Sequence, residues 1–299
     1  MTEQPHPVAV IIPCYNDGAT VLAAVESARS QNPAELIVVN DGSTTPETLA
    51  RLDDLRGRGV TVVDRPNGGL AAARMSGVAA STSPYLVPLD ADDELVPGAI
   101  DALLAAATAQ PEVAVVYGDL ELFGSMTGRR RGGVWDPWAI CYVNRIPGGG
   151  ALIRRRDLLA AGGWVLDQGY EDWDLWMGLL ERGAGAVHLD RVTYRYRQGE
   201  GRMLVGCRGR HEELADRLRR RHPDLYRRRG EHWRRSTAPL PARLLLPVIE
   251  RLPIGVTTRH RLAVAAYDPA AALDARRGRR GVPTRTVRHD EPVEAGRVR

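Results

Sequence analysis

Four short apolar runs mark the N-terminal part of the chain: VAVII (8–12), ELIVV (35–39), VTVV (60–63) and YLVPL (85–89). Each is nearly continuous and rich in β-branched residues, the pattern of strands buried on both faces. Between them, residues 18–30, 46–56 and 69–80 carry apolar positions at helical spacing, so strand and helix alternate. That alternation predicts an α/β fold, a mostly parallel sheet with helices on both faces. A further helix over 98–109, a strand over 113–117 and a short strand at 150–153 continue the pattern. Residues 124–150, with GSMTGRRRGG and PGGG, read as loop. EDWDLWMGLLERG (171–183) places Leu175, Trp176, Leu179 and Leu180 on one face behind an acidic first turn, and VHLDRVTYRYR then returns as an extended segment.

From about residue 206 the pattern changes. Arg-rich helical stretches at 208–221 and 224–235 are followed by a weakly apolar pair around PARLLLPVIERL and HRLAVAAY. The expected organisation is one α/β domain over 1–205, divided near 118. A helical C-terminal appendage over 206–268 and a disordered tail over 269–299 complete it.

Composition changes this picture in three ways. The chain has 299 residues, 43% of them hydrophobic, which suits one large or two modest globular domains and excludes a small stapled scaffold. All 41 basic residues are Arg, a sign of codon bias, so abundant arginine does not by itself point to nucleic acid, and none is expected as a partner. The net charge of +4 hides an asymmetry: residues 1–199 hold 17 Arg against 25 acids, and residues 200–299 hold 24 Arg against 12. Cys14, Cys141 and Cys207 are too few and too far apart for a disulfide framework or a zinc pattern. With no basic leader and no apolar stretch of spanning length, the sequence reads as cytoplasmic, with peripheral contact at the inner face of the cell membrane as a further expectation.

The candidate chemistry begins at VPLDADDEL (87–95), where Asp90, Asp92, Asp93 and Glu94 follow the fourth strand. Ligands of open parallel sheets bind beyond the carboxyl ends of the strands. A hard cation takes a few protein oxygens there and completes its shell from water and phosphate. The same acids equally suit the N-terminus of the helix that follows Pro97, and the residues alone leave both readings open. No Walker loop and no G-x-G-x-x-G after the first strand are present.

Taken in order, VIIPCYN (10–16), VVNDGST (38–44), NGGLAAAR (67–74), LDADD (89–93) and GYEDWDLW (169–176) resemble the family 2 glycosyltransferases of GT-A fold, over about residues 8–197. The resemblance implies a nucleotide-diphosphate sugar donor, a hydroxyl-bearing acceptor (saccharide, lipid-linked or small molecule) and a divalent metal, Mn²⁺ or Mg²⁺, and makes 1–205 a catalytic domain with a nucleotide part over about 1–118 and an acceptor part over about 119–205. It implies that Pro13, Tyr15 and Asp41 line the nucleotide pocket, that Arg74 reaches the nucleotide, and that Asp90 and Asp92 form the D-x-D element, with Asp92 and Asp90 on the metal. It makes Asp172 the general base of an inverting transfer, with Glu171 and Asp93 as additional candidates. Trp173 and Trp176 read as core or pocket wall, and His211 as a solvated surface residue.

Two departures narrow the expectation. Met75 stands where the family often has Asn, and the Q-x-x-R-W signature of processive members is absent, which favours addition of single sugars. QGEGRML after Arg197 leaves a third metal ligand unassigned. The rivals are a metal-dependent phosphotransferase or phosphatase using the same carboxylates, and a non-enzymatic basic binding protein. Of the basic C-terminal part, contact with an anionic membrane surface is one reading and a solvated helical appendage the other.

Overall fold

The computed structural model describes residues 4–167, 169–199 and 210–267. The elements, in chain order, are β1 (His6–Cys14), α1 (Val21–Arg29), β2 (Pro33–Asp41), α2 (Pro46–Gly57), β3 (Thr61–Arg65), α3 (Leu70–Ala80), β4 (Tyr85–Pro88), β5 (Glu94–Leu95) and α4 (Ala99–Ala109). β6 (Val113–Gly124), β7 (Gly128–Arg130), β8 (Leu152–Arg154), α5 (Arg155–Ala160), α6 (Glu171–Glu181) and β9 (Gly185–Gln198) follow. The C-terminal helices are α7 (His211–Arg221), α8 (Pro223–Arg227), α9 (Arg229–Arg235), α10 (Leu240–Arg251) and α11 (Val256–Tyr267).

The nine strands form one sheet in the order β3-β2-β1-β4-β8-β6-β9-β5, with β7 paired to β6. β3, β2, β1 and β4 are parallel throughout. Beyond β4 the sheet becomes mixed: β8 runs antiparallel to β4 and β6, while β6 and β9 are again parallel. This is a mixed α/β sheet, parallel from β3 to β4, with helices appended at the C-terminus.

The continuous apolar runs are strands because both faces of the sheet are covered. Along β1, Val8, Val10 and Ile12 enter one core with Val21, Val25, Leu52 and Leu103, whereas Ala9 and Ile11 enter the other with Ala73, Val78 and Trp176. Each fully buried Val, Ile or Leu contributes about 1.5–3 kcal/mol relative to exposure. α3 lies so close to β1 that a Cβ on Gly77 would sit 2.3 Å from Ile11 Cγ2, which accounts for a glycine inside an otherwise good helix.

Three features differ from the sequence expectation. β6 runs on to Gly124, because its polar half pairs with β9 and β7 and gains ladder hydrogen bonds that an apolar count does not see. The loop 124–150 contains β7 and a helical turn at Ala139–Cys141. The helix expected over 224–235 is two segments that meet at Arg228, whose φ of −88° and ψ of 11° leave helical geometry. A third core cluster joins Trp138, Ala139 and Val143 of the 124–150 loop to Ala242, Leu246, Ile249 and Tyr267, so the C-terminal helices are packed onto the sheet domain. The proposed tail over 269–299 lies outside the described residues.

Candidate active site

The site lies where β1, β2 and β4 end at their carboxyl edge. The turns after β1 and β2 hold one another: Asn16, at φ 59°, accepts hydrogen bonds at Oδ1 from the backbone N–H of Thr44 (2.8 Å) and Thr45 (3.1 Å), and its own N–H donates to Ser43 Oγ. Asn40 Oδ1 accepts from Ser43 N–H at 2.9 Å. PCYN and NDGST are therefore one interlocked unit, in which Pro13 is buried and Tyr15 is exposed.

Asp41 ends β2 and is buried. Arg65 donates to its Oδ1, as does Gly68 N–H at 3.1 Å, and Gly69 N–H donates to Oδ2 at 2.8 Å. The carboxylate thereby fixes the NGG segment that opens α3, placing negative charge at a helix N-terminus.

Arg74, on α3, is the hub of the site. Only 1% of its side chain is exposed, and it is turned inward onto three carboxylates. Nη1 donates to Asp172 Oδ1 at 2.7 Å and to Glu171 Oε1 at 3.3 Å, and Nη2 donates to Asp90 Oδ1 at 2.9 Å. Trp164, whose ring faces the guanidinium at 5.5 Å, donates from Nε1 to the same Asp172 Oδ1 at 3.0 Å. Both donors to Asp172 are thus on one oxygen. The other, Oδ2, points to Gly148, where a Cβ would lie 1.8 Å away.

Burial pushes the Asp172 carboxyl above its ordinary range, Arg74 pulls it back, and Asp90 adds to the rise. Burial and the neighbouring Asp172 push Glu171 to about 7. Where one cation faces three carboxylates in a desolvated pocket, Glu171 and Asp172 hold their protons more tightly than free carboxyls do, and the titration of each depends on the other.

The LDADD turn is closed by Asp93 N–H donating to Asp90 O at 3.0 Å. It sends its carboxylates in different directions. Asp93 is fully buried: Tyr194 OH donates to Oδ2 and Arg197 N–H to Oδ1 at 2.7 Å, and burial together with Asp90 pushes its pKa to about 8. Asp93 accordingly ties β9 to the turn. Asp90 and Asp92 remain partly exposed at the mouth, and Arg197 Nε donates to the Asp92 carbonyl at 2.8 Å.

The structure brings Arg74, Asp90, Glu171 and Asp172 into direct contact and sets Asp92 and Asp93 in the adjoining turn. Pro13, Tyr15 and Asp41 lie at the neighbouring strand ends. Trp173 and Trp176 are buried in the core, with Trp173 Nε1 donating to Ile140 O at 2.7 Å. His211 is not simply a solvated surface residue: Tyr170 OH and His211 Nδ1 are 2.6 Å apart, because the start of α7 lands on the start of α6.

Trp164, Gly148, Tyr194 and Arg197 went unnoticed in the sequence. The run of three glycines at 148–150 was the available signal: a Cβ at any of them would strike Asp172 or Tyr194. Among the described residues, no group of three or more His, Cys, Asp or Glu side chains forms a ready metal cage.

This fold and cleft define a GT-A protein with a carboxylate-lined site at the strand ends. Residues 9–145 of the chain match the glycosyl transferase family 2. It is 34% identical over 114 residues to a chondroitin synthase of Pasteurella multocida, covering 37% of this chain and 12% of that protein. It is 41% identical over 104 residues to the succinoglycan biosynthesis protein ExoU of Rhizobium meliloti, covering 34% and 30%. The chain therefore spans less than a third of the length of either relative. In fold it is similar to S. aureus TarS 1-349 solved with UDP-GlcNAc (TM-score 0.60, 16% identity, 90% of this chain and 79% of that one). It is also similar to the mannosyltransferase PcManGT of Pyrobaculum calidifontis solved with GDP-Man and Mn²⁺ (TM-score 0.56, 20% identity, 93% and 81%).

Proposed function

We propose that the protein transfers a single sugar, with inversion, from a nucleotide-diphosphate sugar to a hydroxyl-bearing acceptor. The observation that carries this reading is Asp172: half-buried, held through one oxygen by Arg74 and Trp164, and presenting the other at Gly148. In the transfer, the acceptor oxygen bonds to the anomeric carbon as the bond from that carbon to the diphosphate oxygen breaks. The hydroxyl proton passes to Asp172 Oδ2. A carboxylate whose pKa is raised accepts that proton better than an ordinary one.

Arg74 serves this chemistry by orienting the base and balancing the charge of Asp90, Glu171 and Asp172. Pro13, Tyr15 and Asp41 are assigned to the nucleoside side of the cleft. Asp92 and Asp90 are two carboxylates on one turn, with no group of three ligands among the described residues, a donor set that would fit a hard cation whose remaining oxygens come from diphosphate and water. Bound there, Mn²⁺ or Mg²⁺ supplies neutralisation of the departing diphosphate. The Mn²⁺ in the mannosyltransferase neighbour supports the metal, and the relatives named for polysaccharide synthesis support a place in glycan or cell-envelope assembly, with secondary metabolism as a further setting. Residues 1–205 are assigned to catalysis and 206–268 to the helical appendage.

The test is turnover of nucleotide-sugar by Asp172→Asn and Asp92→Asn. Asp172→Asn is expected to bind nucleotide while transfer falls by about 10²–10⁴-fold, and Asp92→Asn to lose metal-dependent nucleotide binding. Full activity in both removes the reading, and phosphate release from simple esters would favour a phosphatase instead.

A further inference from the structure

The exposed large apolar side chains of the described residues are concentrated near the C-terminus. On α10, Leu240 (62% exposed), Leu244 (57%) and Val248 (55%) follow one another at four-residue intervals, with Leu245 and Leu252 beside them. The opposite side of the same helix, Ala242, Leu246 and Ile249, is buried against Trp138 and Val143. α10 is therefore apolar on two faces, one packed and one open, and an open stripe of this size marks an interaction surface.

We propose that this stripe docks on an anionic lipid bilayer. Charge selects the occupant. Residues 210–267 hold 14 Arg against 6 acids, and Arg234 and Arg235 on α9, Arg251 on α10 and Arg261 on α11 are exposed. Trp233, partly exposed on α9, donates from Nε1 to Arg243 O, and the Arg243 guanidinium lies 4.9 Å over its ring. An apolar stripe with arginines and a tryptophan at its border matches the boundary between acyl chains and anionic headgroups.

A second copy of the chain is a poorer occupant, since two arginine-rich faces repel. Residues 268–299 are poorer still: they contain one leucine, Leu273, and no isoleucine, phenylalanine, tryptophan or methionine to cover the stripe. No described helix is long and apolar enough to cross a membrane, so the contact lies in the interface plane. The inner face of α10 packs on Trp138 and Val143, in the loop that leads to Gly148. The lipid face and the Asp172 carboxylate are thus connected through one segment. The docking itself does not depend on glycosyl transfer.

The test is flotation of the full-length protein with vesicles of phosphatidylcholine alone and of an equimolar mixture with phosphatidylglycerol. Binding to the mixed vesicles is expected, weakened by salt, and reduced by about tenfold or more in Leu244→Asp/Val248→Asp with unchanged melting. Leu240→Ser/Leu245→Ser provides a second, milder pair on the same stripe. Absence of binding to the mixed vesicles, or equal binding by both variants, overturns the proposal. So does a dimer by light scattering that the Leu244→Asp/Val248→Asp pair converts to monomer, which would assign the stripe to a second copy.

Discussion

Gly148 shows how much of this site is decided by single atoms. Since a Cβ there would lie 1.8 Å from Asp172 Oδ2, Gly148→Ala must displace either the loop or the carboxylate. Misplacement of a catalytic group by about 1 Å costs about 10²-fold in rate. Single-turnover transfer is expected to fall by that order while the melting temperature changes little. Arg74 is the opposite case. Arg74→Met leaves Asp90, Glu171 and Asp172 facing one another without their cation, a loss of about 3–5 kcal/mol expected in urea unfolding. The acid limb of the pH–rate profile should lie above the ordinary aspartate value of 3.8, because the proposed base must be unprotonated and its pKa is raised; a limb at 3.8 contradicts the assignment. For stability the sign is reversed. Folded Glu171 holds its proton to about 7, so its contribution is present below about 4.5 and is lost as pH rises through about 7. Asp90, Asp92 and Asp172 were singled out through the family resemblance, since acids at strand and helix ends suit a helix N-terminus equally well. Trp164 and Tyr194 were not, since each acts on a carboxylate through a contact that only the folded chain makes.

At the scale of elements, α6 carries the proposed base, Asp172, and is held from both ends. Its first turn follows Tyr170, which has a positive φ of 64° and hydrogen-bonds His211 of α7. Further along, His222, between α7 and α8, bridges Asp174 and Glu181 at 2.9 Å each, and Arg221 Nε donates to Asp174 at 2.6 Å. The C-terminal helices are thereby clamped to the helix of the active site. His222 is raised by its two carboxylates against the opposing effect of burial, so its contribution is full below about 6.5 and lost as pH rises through its folded value. Asp174 is lowered by His222 and Arg221 despite burial, so its contribution is lost as pH falls below about 3.8. The clamp is strongest between those limits. His222→Gln should cost about 3 kcal/mol near pH 5.5, and the difference from wild type in urea unfolding should shrink above neutrality. A cost independent of pH would argue for shape alone. The clamp was invisible in the sequence, where Arg-rich α7 reads as a solvated face. The strands β1 to β4 were plain because burial on both faces leaves a continuous apolar run. The polar half of β6 carried no such mark.

Across the whole molecule, the two charge domains of the chain have different tasks. On the proposed reading the acidic N-terminal part carries the site for a phosphate-bearing donor, while the basic C-terminal part is tied to α6 and presents α10 outward. The account rests most heavily on a cation between the LDADD turn and the donor's diphosphate. It is tested most directly by thermal unfolding with UDP, GDP, dTDP and CDP in turn, each with Mn²⁺ or Mg²⁺ and each again with excess chelator. A ligand at about a hundred times its Kd adds about 2.7 kcal/mol to the folded state. One nucleotide should therefore raise the melting temperature by several degrees with metal, and not with chelator or in Asp92→Asn. Equal stabilisation under chelation, or in Asp92→Asn, would contradict the account.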